Sequence, residues 1–236
     1  MRVALTLAYN GTHFLGSQTQ TETTRTIFTQ VERALCEVSI TSKPVPSGRT
    51  DKGVHATGQV CHLDLPAFWS DLGRLKWVLN SKLPSSIKIK SIKQVSDDFH
   101  ARYSAKKRSY RYILKNEKSN PFENDFVTFV EDLEFEKIEK NIGLFVGEFD
   151  FKQFMKTGSD VKTTQREVYR AFAYRHKGFI VLHFEATGFL RSQIRLMVGA
   201  LLDLNAEQIQ EQLLCTEKHK IKPAKCNGLY LSRIKY

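Results

Sequence analysis

"REVYRAFAYRHKGFIVLHFEAT", residues 166–187, reads as two β-prone runs broken by His176-Lys177-Gly178. Alternating apolar and polar residues on both sides of a glycine-containing turn predict an antiparallel hairpin. The next stretch, "FLRSQIRLMVGALLDL" (189–204), changes to helical spacing, with Arg191 and Arg195 four apart and so predicted on one helix face. Upstream, "RSYRYILK" (108–115) reads as a strand with Tyr110 and Tyr112 on one face and Arg111 on the other, and "EKIEKNIGLFVG" (136–147) as a helix.

The first half repeats the mixture. "RVALTLAYNG" (2–11) is a strand ending in an Asn-Gly turn. A helix follows in "TRTIFTQVERALCEVS" (24–39), then a strand in "GQVCHLDL" (58–65), a helix in "SDLGRLKWVLNSKL" (70–83) and a strand in "IKIKSIKQV" (87–95), and residues 229–236 form a final short strand. Strands and helices without regular βαβ alternation predict an α+β fold with mainly antiparallel sheet.

The 236 residues suffice for one large or two small domains, and 41% hydrophobic with 26% charged residues describes a folded globular chain. The formal charge is +11, and it is segregated. Residues 82–118 hold eleven Lys/Arg against three acids, whereas 119–150 hold two against nine. A basic block of this kind predicts a polyanionic partner, and the acidic stretch after Pro121 predicts a divide between two halves. Cys36, Cys61, Cys215 and Cys226 lack disulfide or CxxC spacing and read as reduced thiols. No apolar run of about 18 residues is present to span a bilayer, so no membrane association and a cytoplasmic location are expected. The chain contains no phosphate loop, dinucleotide fingerprint or zinc-protease motif.

"SGRTDKGVHATGQV" (47–60) concentrates Arg49, Asp51, Lys52 and His55 among three glycines. A nearby cation would keep a part-buried Asp51 ionised, as a nucleophile or base requires, and spacing alone allows an ordinary charged turn as well. In "FHARYSAKKRSYRYILKN" (99–116) tyrosines and arginines interleave as stacking on unpaired bases with phosphate contacts would need, and half-buried sheet tyrosines give the same pattern. Arg195 sits between Ile194 and Leu196 and needs a carboxylate or phosphate. Cys61 and His62 are neighbours on a strand and point oppositely, which speaks against a shared metal with His55.

Eight stretches in order resemble the tRNA pseudouridine synthase A family: "YNGTHFLGSQTQ", "GRTDKGVHATGQVCHLD", "LNSKLP", "FHARYSAKKRSYRYI", "GEFDFKQF", "TTQREV", "GFLRSQIRLMVGALL" and "GLYLSRI". The resemblance implies an isomerase that breaks the N1–C1′ bond of a tRNA uridine and rejoins the base through C5, at uridines 38, 39 and 40 of the anticodon stem-loop. It implies two α/β halves, 1–104 and 105–236, flanking a central basic RNA-binding cleft, a homodimer, and neither metal nor organic cofactor.

By the same resemblance Asp51 is catalytic, Tyr110 contacts the target base, Arg195 pairs with Asp51, and Arg49 holds the flipped substrate. Lys52 and His55 support them. The sequence leaves open whether Asp51 attacks C1′, attacks the base or takes a sugar proton. The chain departs from the family at Ser17 (Trp or Tyr), at Thr26-Ile27-Phe28 (a Thr-Val-Gln element), at Phe149 (His) and at "KPAKCNGLYL", which lacks the usual Ala-Pro order.

Overall fold

Apolar residues on alternate positions of strand β1 (Arg2–Tyr9) turn Val3, Leu5, Leu7 and Tyr9 inward. In the computed structural model, which describes every residue except 157, 159 and 160, this strand has an antiparallel neighbour on each side. Helix α1 (Ile27–Cys36) starts where the Thr26 hydroxyl accepts the Thr29 N–H, a cap contributing about 1 kcal/mol, and buries Ile27, Phe28, Val31, Ala34 and Leu35. Strand β2 (Val45–Pro46) and strand β3 (His55–Asp64) follow, with β3 antiparallel to both β1 and β2. Helix α2 (Leu72–Lys82), capped by the Asp71 side chain, lies against strand β4 (Ile87–Gln94), the antiparallel neighbour on the other side of β1. On β4 the lysines at 88, 90 and 93 are exposed while Ile87 and Ile89 are buried, as the alternation predicts.

The chain divides into two compact units between Lys106 and Lys107. In the second unit, strand β5 (Lys107–Lys115) pairs in parallel with strand β6 (Thr128–Phe129). That pairing draws the acidic stretch after Pro121 into the unit, so the charge reversal marks no divide. Helix α3 covers only Phe135–Asn141. The predicted helix continues as a 3₁₀ turn over Ile142–Phe145, where Gly143 is a poor α-former, and then gives way to strand β7 (Gly147–Asp150). The predicted hairpin is strand β8 (Gln165–His176) and strand β9 (Phe179–Ala186), giving the order β5-β9-β8-β7 with antiparallel neighbours.

Helix α4 (Gln193–Asp203) begins after Ser192, whose φ of 59° is left-handed. Arg191 therefore precedes the helix, and the expectation that it shares a helical face with Arg195 is overturned. The fully buried Phe145, Phe151 and Phe154 meet edge to face at 5.5 and 6.0 Å, and helix α5 (Ala206–Leu213), closed by an Asn205/Gln208 capping box, packs on the 3₁₀ turn over Ile142–Phe145 and on a second over Phe151–Phe154, which carry them. Strand β10 (Leu229–Lys235) then returns to the first unit, pairing in parallel with β3 through Tyr230↔His55 and Leu231↔Ala56. The architecture is α+β with mixed, mainly antiparallel pairing.

Candidate active site

In the first unit, the segment between β2 and β3 runs from Ser47 to Val54 and carries Asp51 near its middle. Its entry is fixed by a buried network. The Ser47 N–H donates to Val60 O at 2.8 Å, the Ser47 hydroxyl to Gln59 Oε1 at 2.7 Å, and Gln59 Nε2 to Gly48 O at 2.9 Å. Thr50 is held on two sides. Its hydroxyl meets the Tyr9 phenol at 2.9 Å, its N–H donates to Ser17 Oγ at 2.9 Å, and its carbonyl accepts the Ser17 N–H at 3.1 Å. Burial pushes the Tyr9 phenol up to about 12 against the opposing hydrogen bonds of Thr50 and Gln59, so Tyr9 remains a neutral hydrogen-bonding group.

After Asp51 the chain turns tightly, with the Val54 N–H on Asp51 O at 3.1 Å and Gly53 at a φ of 76°, a value that suits glycine. Phe14 O accepts the Gly53 N–H at 3.3 Å. The exit is locked by His55, which opens β3. Its Nδ1 accepts the Gly11 N–H at 3.0 Å, which places the ring proton of a neutral imidazole on Nε2, and its ring stacks on Tyr230 at 4.7 Å. Arg49 and Lys52 are exposed, Asp51 is half-buried and His55 is buried. The backbone on either side of Asp51 is thus pinned while the charged side chains project from it. This is the arrangement a preorganised carboxylate needs.

The second unit carries Tyr110 and Arg195. Tyr110 on β5 is half-buried and meets Phe189 edge to face, with ring centres 5.3 Å apart at 85°. Tyr112, two residues on, is wholly buried, and its hydroxyl bonds Thr128 Oγ1 at 2.8 Å and Lys225 O at 2.7 Å. It is a core residue, with its phenol pushed up by burial. Half-buried Arg195 on α4 donates from Nε to Ala224 O at 2.7 Å, while its own carbonyl accepts the Ala224 N–H at 2.8 Å.

The structure thus gathers Arg49, Asp51, Lys52 and His55 in one unit and Tyr110 and Arg195 in the other. Sequence reasoning passed over Phe189, Gln59 and the role of Ser17. A serine in a motif where the family carries an aromatic residue was the available signal for the last. Cys61 is fully buried, with its thiol pushed up by burial, and His62 Nδ1 accepts the Ala101 N–H at 3.1 Å. Among the described residues, the His/Cys/Asp/Glu group with ligand atoms within 4.8 Å of one another is Glu211, Glu217 and His219.

The sequence model described as tRNA pseudouridine synthase matches residues 6–104 and 142–236. The chain belongs to the tRNA pseudouridine synthase family. Family members isomerise uridine to pseudouridine in RNA. A protein named tRNA pseudouridine synthase A from Campylobacter jejuni (strain RM1221) is 38% identical over 241 residues, covering 100% of both chains. Those of that name from Wolinella succinogenes and Lactococcus lactis are 38% and 36% identical, over 98% and 100% of this chain and 92% and 97% of their own. Asp51, Arg49 and Arg195 fall inside the family match, whereas Tyr110 falls between its two parts and within the alignments to the relatives that span the whole chain. Among the described residues, no helix is long and apolar enough to cross a membrane.

Proposed function

We propose that the chain converts uridine to pseudouridine in the anticodon stem-loop of tRNA, at positions 38, 39 and 40, with Asp51 as the catalytic carboxylate. The reaction conserves every atom of the nucleotide. The N1–C1′ bond breaks, a C5–C1′ bond forms, C5 gives up a proton and N1 gains one, so neither redox partner nor group donor is needed. A uridine inside a stem must be extruded first, at a cost of a few kcal/mol that stacking and phosphate contacts offset. The observation that carries the reading is the half-buried Asp51 on a segment tied down at Thr50 and at His55. The roles of Tyr110, Arg49 and Arg195, the homodimer and the choice of the anticodon arm follow the family resemblance.

Asp51→Asn keeps the shape and removes the charge. Turnover on unmodified tRNA falls by roughly three orders of magnitude or more, while tRNA binding persists. Retained turnover would overturn the role of Asp51. Pseudouridine mapping in tRNA from cells with and without the gene tests the target: loss confined to 38–40 supports the anticodon arm, and loss elsewhere overturns it.

A further inference from the structure

We propose that the open face of β1, β3 and β4 in the first unit is a second contact for the tRNA, in which Lys88, Lys90 and Lys93 hold backbone phosphates and Tyr103 stacks on an unpaired base. The inference rests on the tRNA-modifying reading above and adds to it a substrate surface separate from Asp51.

Pairing register separates the two faces of these strands. Val3, Leu5, Leu7 and Tyr9 turn to the core together with Ile87 and Ile89 of β4. Ala4 and Ala8 turn the other way, opposite Lys93 and Lys88. With Thr6 between them, the middle strand offers this face three small, half-exposed residues, so it is shallow and open. Lys90 crosses it. The pairing shifts between Thr6 and Leu7, leaving Lys90 without a register partner, and its Nζ donates to Thr57 O at 2.9 Å on the far side of β1. Buried Leu7 and Tyr9 fill the opposite face, so the exposed lysine runs over the open one.

Among the described residues, none of the three lysines pairs with a carboxylate. Asp64, Asp97 and Asp98 act instead on Arg2, at the end of β1 beyond Lys93. Lysines on an edge strand can serve merely to block a further strand, but an ammonium laid inward across the face does nothing for the edge. The three cations span roughly 16 Å of strand. Their row begins level with the start of β3, where His55 anchors the Asp51 segment, and runs away from it.

The row that holds Lys93 and Ala4 continues to His62 and ends on an aromatic stack. The His62 and His100 ring centres are 4.8 Å apart, and those of His100 and Tyr103 are 4.3 Å apart at 32°. The turn beneath them is tightly bonded. His62 Nδ1 accepts the Ala101 N–H, His100 Nδ1 accepts the N–H groups of Arg102 and Tyr103, and Ser104 Oγ accepts the His100 N–H. The Tyr236 hydroxyl donates to Ala101 O. Tyr103 is nevertheless 76% exposed, with the Arg102 guanidinium 5.7 Å from its ring centre. A ring held in place on a histidine and left to water suits a nucleobase, since every base has a face to stack. Cations and an aromatic ring on one surface are the combination that holds unpaired RNA. An acidic protein would use the lysines and leave the ring idle.

The test measures binding of unmodified full-length tRNA by the whole protein over a salt series, with folding checked by thermal denaturation. The triple variant Lys88→Gln, Lys90→Gln, Lys93→Gln flattens the slope of log K against log salt by about two units and weakens binding roughly a hundredfold near physiological salt. Tyr103→Ala weakens binding roughly tenfold and leaves the slope as it is, because stacking releases no counterion, and Tyr103→Trp restores the affinity. An unchanged slope in the folded triple variant overturns the surface as an RNA contact, and unchanged affinity in Tyr103→Ala overturns the base contact. If the triple variant loses binding to poly-glutamate while keeping its tRNA slope, the face takes an acidic polypeptide and the RNA assignment is overturned. Wild-type protein that binds tRNA as expected yet converts no uridine would instead sink the functional reading and leave this surface standing.

Discussion

Ser17 accepts the Thr50 N–H on its hydroxyl at 2.9 Å and returns its own N–H to the Thr50 carbonyl at 3.1 Å, one residue before Asp51. Neither residue of the family resemblance at this position, Trp or Tyr, carries an oxygen on Cβ, so the first of these bonds belongs to the serine.

Ser17→Ala strands a buried N–H. The expected cost is about 1–3 kcal/mol of stability, read from urea denaturation, with kcat lowered and KM little changed because the segment bearing Asp51 loosens while RNA contacts remain. A midpoint equal to the wild type would show that water or a backbone shift replaces the hydroxyl.

Tyr110→Phe keeps the edge-to-face contact with Phe189 and removes only the hydroxyl, so a loss of turnover in a variant that melts as the wild type does is chargeable to that hydroxyl. Phe189→Ala removes about 0.5–1.5 kcal/mol of aromatic pairing in addition to the buried area it loses, and lowers kcat/KM by freeing the Tyr110 ring. Steady-state kinetics on the stem-loop, alongside thermal melts, separate the two effects.

Gly58→Ala would set a methyl carbon 2.3 Å from the Ser232 carbonyl oxygen, a backbone atom of β10 that cannot swing aside. The expected loss is about 3 kcal/mol, measured by chemical denaturation, and a near-neutral result would mean that β3 and β10 separate more readily than their register suggests.

His62 titrates below its ordinary value of 6.5, through burial first and then the charges of His100 and Arg2. Below 6.5 the unfolded chain therefore binds more protons than the folded one at this site, and stability falls as pH drops from 6.5 through the folded value. His62→Gln flattens that part of the curve. The carboxylates held low, Asp64 and Glu185, act in a separate window below their ordinary values of 3.8 and 4.5, where acid removes the stability they contribute. Melting temperatures between pH 7.5 and pH 5 distinguish the histidine from the acids.

Periodicity made β1, α1, α2 and the β8–β9 hairpin legible, because alternation and helical spacing record which side of an element is buried. They do not record what lies next to it. The parallel place of β10 beside β3 depends on residues far apart in the chain. The left-handed Ser192 that detaches Arg191 from α4 carries no composition signal, since serine is not the residue expected at a positive φ. Asp51 stood out through the order of eight matching stretches, not through its neighbours.

The return of residues 230–236 to the first unit makes the second an insertion within it. During synthesis every residue of the second unit leaves the ribosome before Tyr230 does, so β3, including the His55 that anchors the Asp51 segment, lacks that ring until then. The unit begun first is finished last, and a chain interrupted before Tyr230 carries Asp51 on a segment without its stacked anchor.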